Sequence, residues 1–191
     1  MDRLQRGISY KSSEIQEVGT PLLSLNSFRL DGSFKIEGTK YFNGNFNDEK
    51  RVSFGDLVIA ITDVTRNADI IGKSFIVPHL FNENPLFSCD VASVTATKEE
   101  KYYLEMLFNS ERYHDYIKHF ASGTLVLHLN LDGVRWFITY RPPTDLLKKY
   151  CAFREDLTKK KVNNLAENQK LTQLRDWLLP MLMNGQVRVK D

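Results

Sequence analysis

The sequence predicts an α+β protein: a mixed domain of short strands and helices over residues 1–141, then a long helix and tail over residues 142–191. Three observations carry this. Before residue 141, short apolar and β-branched runs alternate with Gly32, Gly38, Gly44, Gly55 and Gly72 at turn-like intervals. Between Lys98 and about Phe120, Tyr102, Met106, Tyr113 and Ile117 repeat on one helical face. From about Thr144 to Leu179 the pattern is helical throughout.

Taken in order, Thr20–Leu25 and Phe54–Thr62 have strand composition, and Ile70–Val77 gives another strand, ended by Pro78. The helix over residues 98–120 follows, then a strand from Thr124 to Leu129, and Trp136–Tyr140 leads into Pro142 and Pro143. Proline disfavours helix in the residue before it and is well suited to a first helical turn, so the Arg141–Pro143 segment reads as the linker.

A helix of roughly 36 residues is about 54 Å long, more than the width of a domain this size, so it calls for a partner. Leu146, Tyr150, Phe153 and Leu157 recur at steps of four and three, and Leu171, Leu174 and Leu178 resume that register, as a coiled-coil seam requires. Between them the register falls on Lys160, Asn164 and Glu167, while Val162 and Leu165 occupy a neighbouring stripe. Polar seam positions cost stability but can fix register and orientation. The alternative is an amphipathic helix lying along its own domain, with Lys159, Lys160 and Lys161 solvated.

The 42% hydrophobic and 26% charged content describes an ordinary globular protein, and a net charge of +2 does not mark an acidic partner. Its distribution is uneven: residues 141–191 hold 11 Lys/Arg against 6 Asp/Glu, and residues 1–140 hold 15 against 18. A basic helix beside a slightly acidic domain can face phosphates locally. Cys89 and Cys151 are too few and too far apart for a zinc framework and read as buried thiols of a reducing compartment. No apolar run is long enough to span a membrane, and Met1–Tyr10 has no signal-peptide core, so a cytoplasmic protein with no membrane partner is expected.

The motifs, in their order and spacing, resemble the DNA-specificity subunit of type I restriction-modification systems over nearly the whole chain. Residues 7–35 (GISYKSSEIQEVGTPLLSLNSFRLDGSFK) resemble the opening of a target recognition domain, with a glycine-aromatic loop, a strand and a turn at Asp31-Gly32. Residues 53–77 carry the GDL strand at Gly55–Leu57. Residues 123–134 (GTLVLHLNLDGV) supply Gly123, Thr124, His128 and Leu129; the proline pair and residues 174–189 (LRDWLLPMLMNGQVRV) complete the pattern.

The resemblance implies one target recognition domain and one long helix, where family members usually carry two of each with the helices paired antiparallel. It implies double-stranded DNA as ligand. It further implies a two-fold or pseudo-two-fold assembly of two heads on a divided site: a homodimer through the long helix, or pairing with a missing N-terminal half. It implies partner adenine methyltransferase and restriction motor subunits, which would hold the methyl donor and ATP; no cofactor is expected on this chain.

Base reading needs forked donors or amides on a rigidly presented loop. Residues 62–73 (TDVTRNADIIGK) offer Thr65, Arg66 and Asn67 in a row, with Lys73 beyond. The structural alternative is a loop whose Asp63, Thr65 and Asn67 satisfy their own turn. Residues 38–51 offer Lys40, Tyr41, Asn43, Lys50 and Arg51, or else an ordinary connection with Tyr41 packed inward. Gly123 and Thr124 suit backbone contact to DNA, Arg135 and Arg141 suit phosphates, and His128 reads as mainly structural.

Catalysis finds little support. Asp90, Glu99 and Lys101 have a nuclease-like spacing, but Glu99 and Glu100 suit a helix N-terminus. His79, His114 and His119 lack ligand spacing, neither cysteine has the adjacent histidine or basic cluster that would mark a catalytic thiolate, and no nucleotide or methyl-donor motif is present. The expectation is a non-catalytic recognition subunit. The competing reading is an interaction protein whose coiled coil dimerises a ligand- or peptide-binding domain.

Overall fold

The structure, a computed structural model, describes residues 3–187. In chain order the strands are β1 (Arg3–Arg6), β2 (Ile15–Gln16), β3 (Thr20–Leu23), β4 (Lys40–Phe42), β5 (Leu57–Ala60), β6 (Thr62–Asp63), β7 (Ser74–Ile76), β8 (Leu86–Phe87) and β9 (Val91–Thr95). Helices α1 (Lys98–Phe108) and α2 (Glu111–Lys118) follow, then β10 (Ala121–Ser122), β11 (Leu127–Leu129), α3 (Leu131–Trp136) and α4 (Thr144–Met183). They form three sheets, ordered β1-β9-β5-β7, β2-β4-β3-β8 and β10-β11-β6. All pairings are antiparallel except β3 with β8.

The apolar run from Leu57 to Ile61 is buried on both faces, which is why it lacks the alternation of a half-exposed strand. Leu57, Ile59 and Ile61 join a core with Tyr102, Phe108, Tyr113 and Ile117 from α1 and α2. Val58 and Ala60 point the other way, into a second core with Phe28, Phe34, Phe75 and Phe87. Phe28 and Phe34 flank Phe75 with ring centroids 4.6 and 5.2 Å away. The Asp31-Gly32 turn forms as expected, with the Ser33 amide donating to Asp31 Oδ1 at 2.8 Å and Gly32 at φ +83°.

The single helix expected over residues 98–120 is two helices. Ser110 ends one and starts the other: its hydroxyl donates to the Leu107 carbonyl at 2.6 Å and accepts from the Tyr113 amide at 3.3 Å. Asn109, in the break, turns its amide to the edge strand β7, accepting from the Ser74 amide at 3.0 Å and donating to the Ser74 carbonyl at 2.8 Å. Met106 accordingly lies off the buried stripe and is exposed. The expected strands are also shorter than predicted: β3 stops at Leu23, β7 starts at Ser74 and β11 starts at Leu127.

Helix α4 runs past the expected end at Leu179. Pro180 lies inside it, and the ladder resumes with the Asn184 amide donating to the Pro180 carbonyl at 3.0 Å. Gly185, at φ +69°, ends the helix, with the Gln186 amide bonding back to the Met181 carbonyl at 2.9 Å. By the density of its contacts the chain divides into two units between Ala152 and Phe153. The physical reason is that Leu147 and Cys151, in the first turns of α4, are buried in the first unit. Cys89, expected to be buried, is partly accessible. In the second unit no described residue is buried, and Phe153, Leu157, Leu171 and Leu174 are all exposed while Leu178 is half-buried. Leu146 is exposed and Tyr150 half-buried at the start of the same helix. No described helix is long and apolar enough to cross a membrane.

Candidate nucleic-acid interface

The short sheet β10-β11-β6 joins two loops that are 60 residues apart in sequence. Asp63 pairs with Leu127 and Thr62 with His128 in antiparallel register. The loop leaving β6 at Asp63 and the hairpin entering β11 at Leu127 therefore meet at one end of this sheet.

The first loop is built around a buried carboxylate. Asp63 has no exposed surface; its Oδ1 accepts from the Thr65 amide at 2.7 Å, and its Oδ2 from the Ile70 and Ile71 amides at 2.7 and 3.2 Å. Three backbone donors compensate a charge that would otherwise be costly to bury. Thr65 Oγ1 accepts from the Asp69 amide at 3.0 Å, and Ala68, at φ +54°, offers its carbonyl to His114 Nε2 at 2.9 Å. Burial, then the charge of Lys73, holds the His114 pKa below the ordinary histidine range. The neutral Nε2–H tautomer suits donation to that carbonyl. On this frame Arg66 and Asn67 are exposed, and neither side chain has a hydrogen-bond or ion-pair partner among the described residues. Val64 is exposed beside them.

The facing hairpin turns at Gly123, at φ +141°, where a Cβ would lie 2.0 Å from the Val126 carbonyl oxygen. Only glycine fits this geometry without a shift in the backbone. Thr124 is exposed, Val126 is at the margin of exposure and Leu125 is 88% exposed, so the expected strand from Thr124 is instead the hairpin tip. His128 lies on the outer face of β11, exposed and without a side-chain hydrogen bond among the described residues, while Leu129 on the opposite face is buried. The alternation holds, but the structural role expected of His128 has no contact to carry it. The exposed apolar residues Val64, Leu125 and Val126 have only a weak signal in the sequence, an apolar residue beside Gly123 and Thr124 at a turn.

Other expected readers are engaged elsewhere. Lys73 is 7% exposed and donates to the Asn109 carbonyl at 3.4 Å, and burial, followed by Lys118, lowers its pKa. It braces the α1–α2 break rather than facing a ligand. Lys40 donates to the Tyr10 hydroxyl at 2.7 Å, Asn43 to Gln16 Oε1 at 2.9 Å, and Lys50 to the Arg6 carbonyl at 2.9 Å. Arg51 bonds the Asn84 carbonyl at 2.6 Å, pairs with Asp48 and Glu83 at 3.0 Å each, and lies over the Phe46 ring. Tyr41 edges a shallow depression of about 210 Å³ with Leu80 and Phe81. Lys40, Asn43, Lys50 and Arg51 are thus engaged within the domain, which leaves the first loop as the better presented set.

Arg135 pairs with Asp132 at 3.0 Å, and Arg141 with Glu100 at 2.9 Å. The nuclease-like triplet does not act as a unit. Of its members, Lys101 pairs with Asp56 at 2.6 Å and Asp90 accepts from Thr62 and Ser88; Glu99 lies in the first turn of α1 beside Glu100, which closes a capping box with Thr97. Among the described residues no group of three or more His, Cys, Asp or Glu is arranged to hold a metal. His79 stacks on Phe54 with centroids 4.3 Å apart.

Comparison with solved structures gives the same architecture. The S subunit of a type I restriction-modification system from M. genitalium matches with a TM-score of 0.58 at 12% sequence identity, over 94% of this chain and 42% of that one. The HsdS subunit from Thermoanaerobacter tengcongensis matches over 97% of this chain and 43% of its own at 15% identity, with a TM-score of 0.42. No protein-family model and no curated protein sequence matches. By its likeness to the M. genitalium structure the chain has the fold of a portion of an S subunit, an α+β domain leading into a long helix. It spans less than half the length of either structure it matches.

Proposed function

We propose that this chain is a sequence-specific DNA-recognition module of the type I restriction-modification kind, non-catalytic itself. The observation that carries this reading is the pairing of Asp63 with Leu127, which brings the braced loop of Arg66 and Asn67 beside the hairpin of Thr124 and Leu125. Arginine can bridge guanine O6 and N7, asparagine can pair with adenine N6 and N7, and an apolar tip suits the thymine methyl. The likeness of fold to an S subunit supports the same reading.

In this account the long helix joins two recognition heads, and partner methyltransferase subunits, with restriction subunits bound through the complex, act at the site the heads select. The cytoplasm, where DNA and those partners lie, is the compartment it implies. Two identical heads related by a two-fold read identical half-sites, so the target is an interrupted palindrome. Mapping methylated adenines in DNA modified by the complex assembled with its methyltransferase tests this. An interrupted palindrome is expected; an undivided motif overturns the two-headed arrangement.

A further inference from the structure

We propose that His114 is a positioning residue for the base-reading loop: its imidazole, reaching out from α2, holds Ala68 in the left-handed conformation that presents Arg66 and Asn67. This rests on the reading of that loop given above and adds a residue outside it on which its shape depends. His114 Nε2 lies 2.9 Å from the Ala68 carbonyl oxygen, and Ala68, at φ +54°, directly follows the Arg66-Asn67 pair. The Ala68 methyl is buried in the core that Tyr113 and Ile117 of α2 also enter. Residues other than glycine rarely adopt a positive φ, so the tip keeps this turn only while its surroundings hold it.

The remaining hydrogen bonds of the tip are internal. Asp63 accepts from the Thr65, Ile70 and Ile71 amides, Thr65 Oγ1 from the Asp69 amide, and the Thr65 carbonyl from the Ala68 amide at 3.3 Å. Among the described residues, the His114 bond is the one hydrogen bond that ties residues 64–71 to a part of the chain beyond 62–73. Asp63 thus closes the base of the loop, and His114 fixes the residue next to Asn67.

The place of His114 is set in turn by the break between α1 and α2. Ser110 caps α2, and Asn109 is held on Ser74 of β7. His114 sits one turn further on, its amide donating to the Ser110 carbonyl at 3.0 Å. Burial, then the charge of Lys73 and more weakly that of Lys118, disfavours a cationic donor here, against Asp115, which suits a neutral imidazole N–H rather than an ammonium. A line of contacts therefore runs from the β7 edge of its sheet through α2 to the two exposed side chains assigned to DNA.

The test measures amide exchange of Thr65, Asp69 and Ile70 in the full-length chain without DNA, with the β5 and α1 amides as a control on the fold. His114→Ala is expected to speed exchange at these positions about two- to tenfold, the weight of one hydrogen bond, while His114→Gln, which keeps an N–H donor, restores protection. In an Ala68→Gly chain, His114→Ala is expected to do less, because glycine holds a positive φ unaided. Unchanged exchange in His114→Ala, equal acceleration by His114→Gln, an undiminished effect in the Ala68→Gly chain, or acceleration spread evenly over β5 and α1 each overturns the proposal. On DNA, in the complex assembled with its methyltransferase, His114→Ala is expected to narrow the affinity ratio between cognate and single-base variant duplexes. His114→Gln recovers that ratio, with the salt slope constant throughout. A loosened loop with the ratio intact leaves the brace standing and overturns base reading by the loop instead.

Discussion

Asp63 and Leu127 face each other across the β6–β11 pair, and this one contact in a two-residue strand unites two loops distant in sequence. The buried Asp63 carboxylate then closes its loop by accepting from three backbone amides. The same residue therefore fixes both where the loop lies and what shape it has.

Replacing Asp63 with Ala leaves those amides, one buried and two part-buried, without their acceptor. At about 1–3 kcal/mol for each unsatisfied donor, a total loss of about 3 kcal/mol or more is expected. For a chain of this size that lowers Tm by about 6–12 °C in thermal unfolding. An unchanged Tm contradicts the role assigned to Asp63.

Gly123→Ala puts a Cβ against the Val126 carbonyl in a backbone conformation that L-residues rarely adopt, at a cost of about 1–3 kcal/mol. The hairpin is small and exposed, so the strain is expected to appear locally. Faster amide exchange over residues 121–128, with the α1 and α2 amides unaffected, is the expected result; an unaltered hairpin contradicts it.

Much of this arrangement is legible in the sequence, and the remainder fails for identifiable reasons. The run Leu57–Ile61 announces a strand buried on both sides because nothing polar interrupts it. The turn chemistry of Asp63 and Thr65 is visible too, as a short-range option. What local pattern does not carry is the β6–β11 pairing, a contact between strands of two and three residues. Asn109-Ser110 is a stop and a start hidden inside a continuous amphipathic pattern, and the burial of Lys73 follows from that break. The helix α4 is legible because its pattern is helical throughout from Thr144; Pro180 misleads because it costs a helix one hydrogen bond without necessarily ending it.

Histidine 114 couples the loop to pH. Its pKa is lowered in the folded chain, so the unfolded chain binds more protons below the ordinary value of 6.5. Its contribution is fully present above that pH and is lost as pH falls through the folded-state value. Stability is therefore expected to decline as pH falls below about 6.5, with a component that His114→Gln removes, since the Gln amide can still donate to the Ala68 carbonyl. Parallel pH profiles for the two chains in urea unfolding contradict this.

Competition binding of the complex assembled with its methyltransferase, on cognate duplexes and single-base variants at several salt concentrations, tests base reading by the Asp63-braced loop most directly. Arg66→Ala and Asn67→Ala are each expected to weaken cognate binding by about 1–3 kcal/mol and to relax preference at one position while leaving the salt slope nearly unchanged. A uniform loss across all sequences with a shallower salt slope, or no change in affinity and preference while the fold is intact, contradicts the assignment of this loop as the reader.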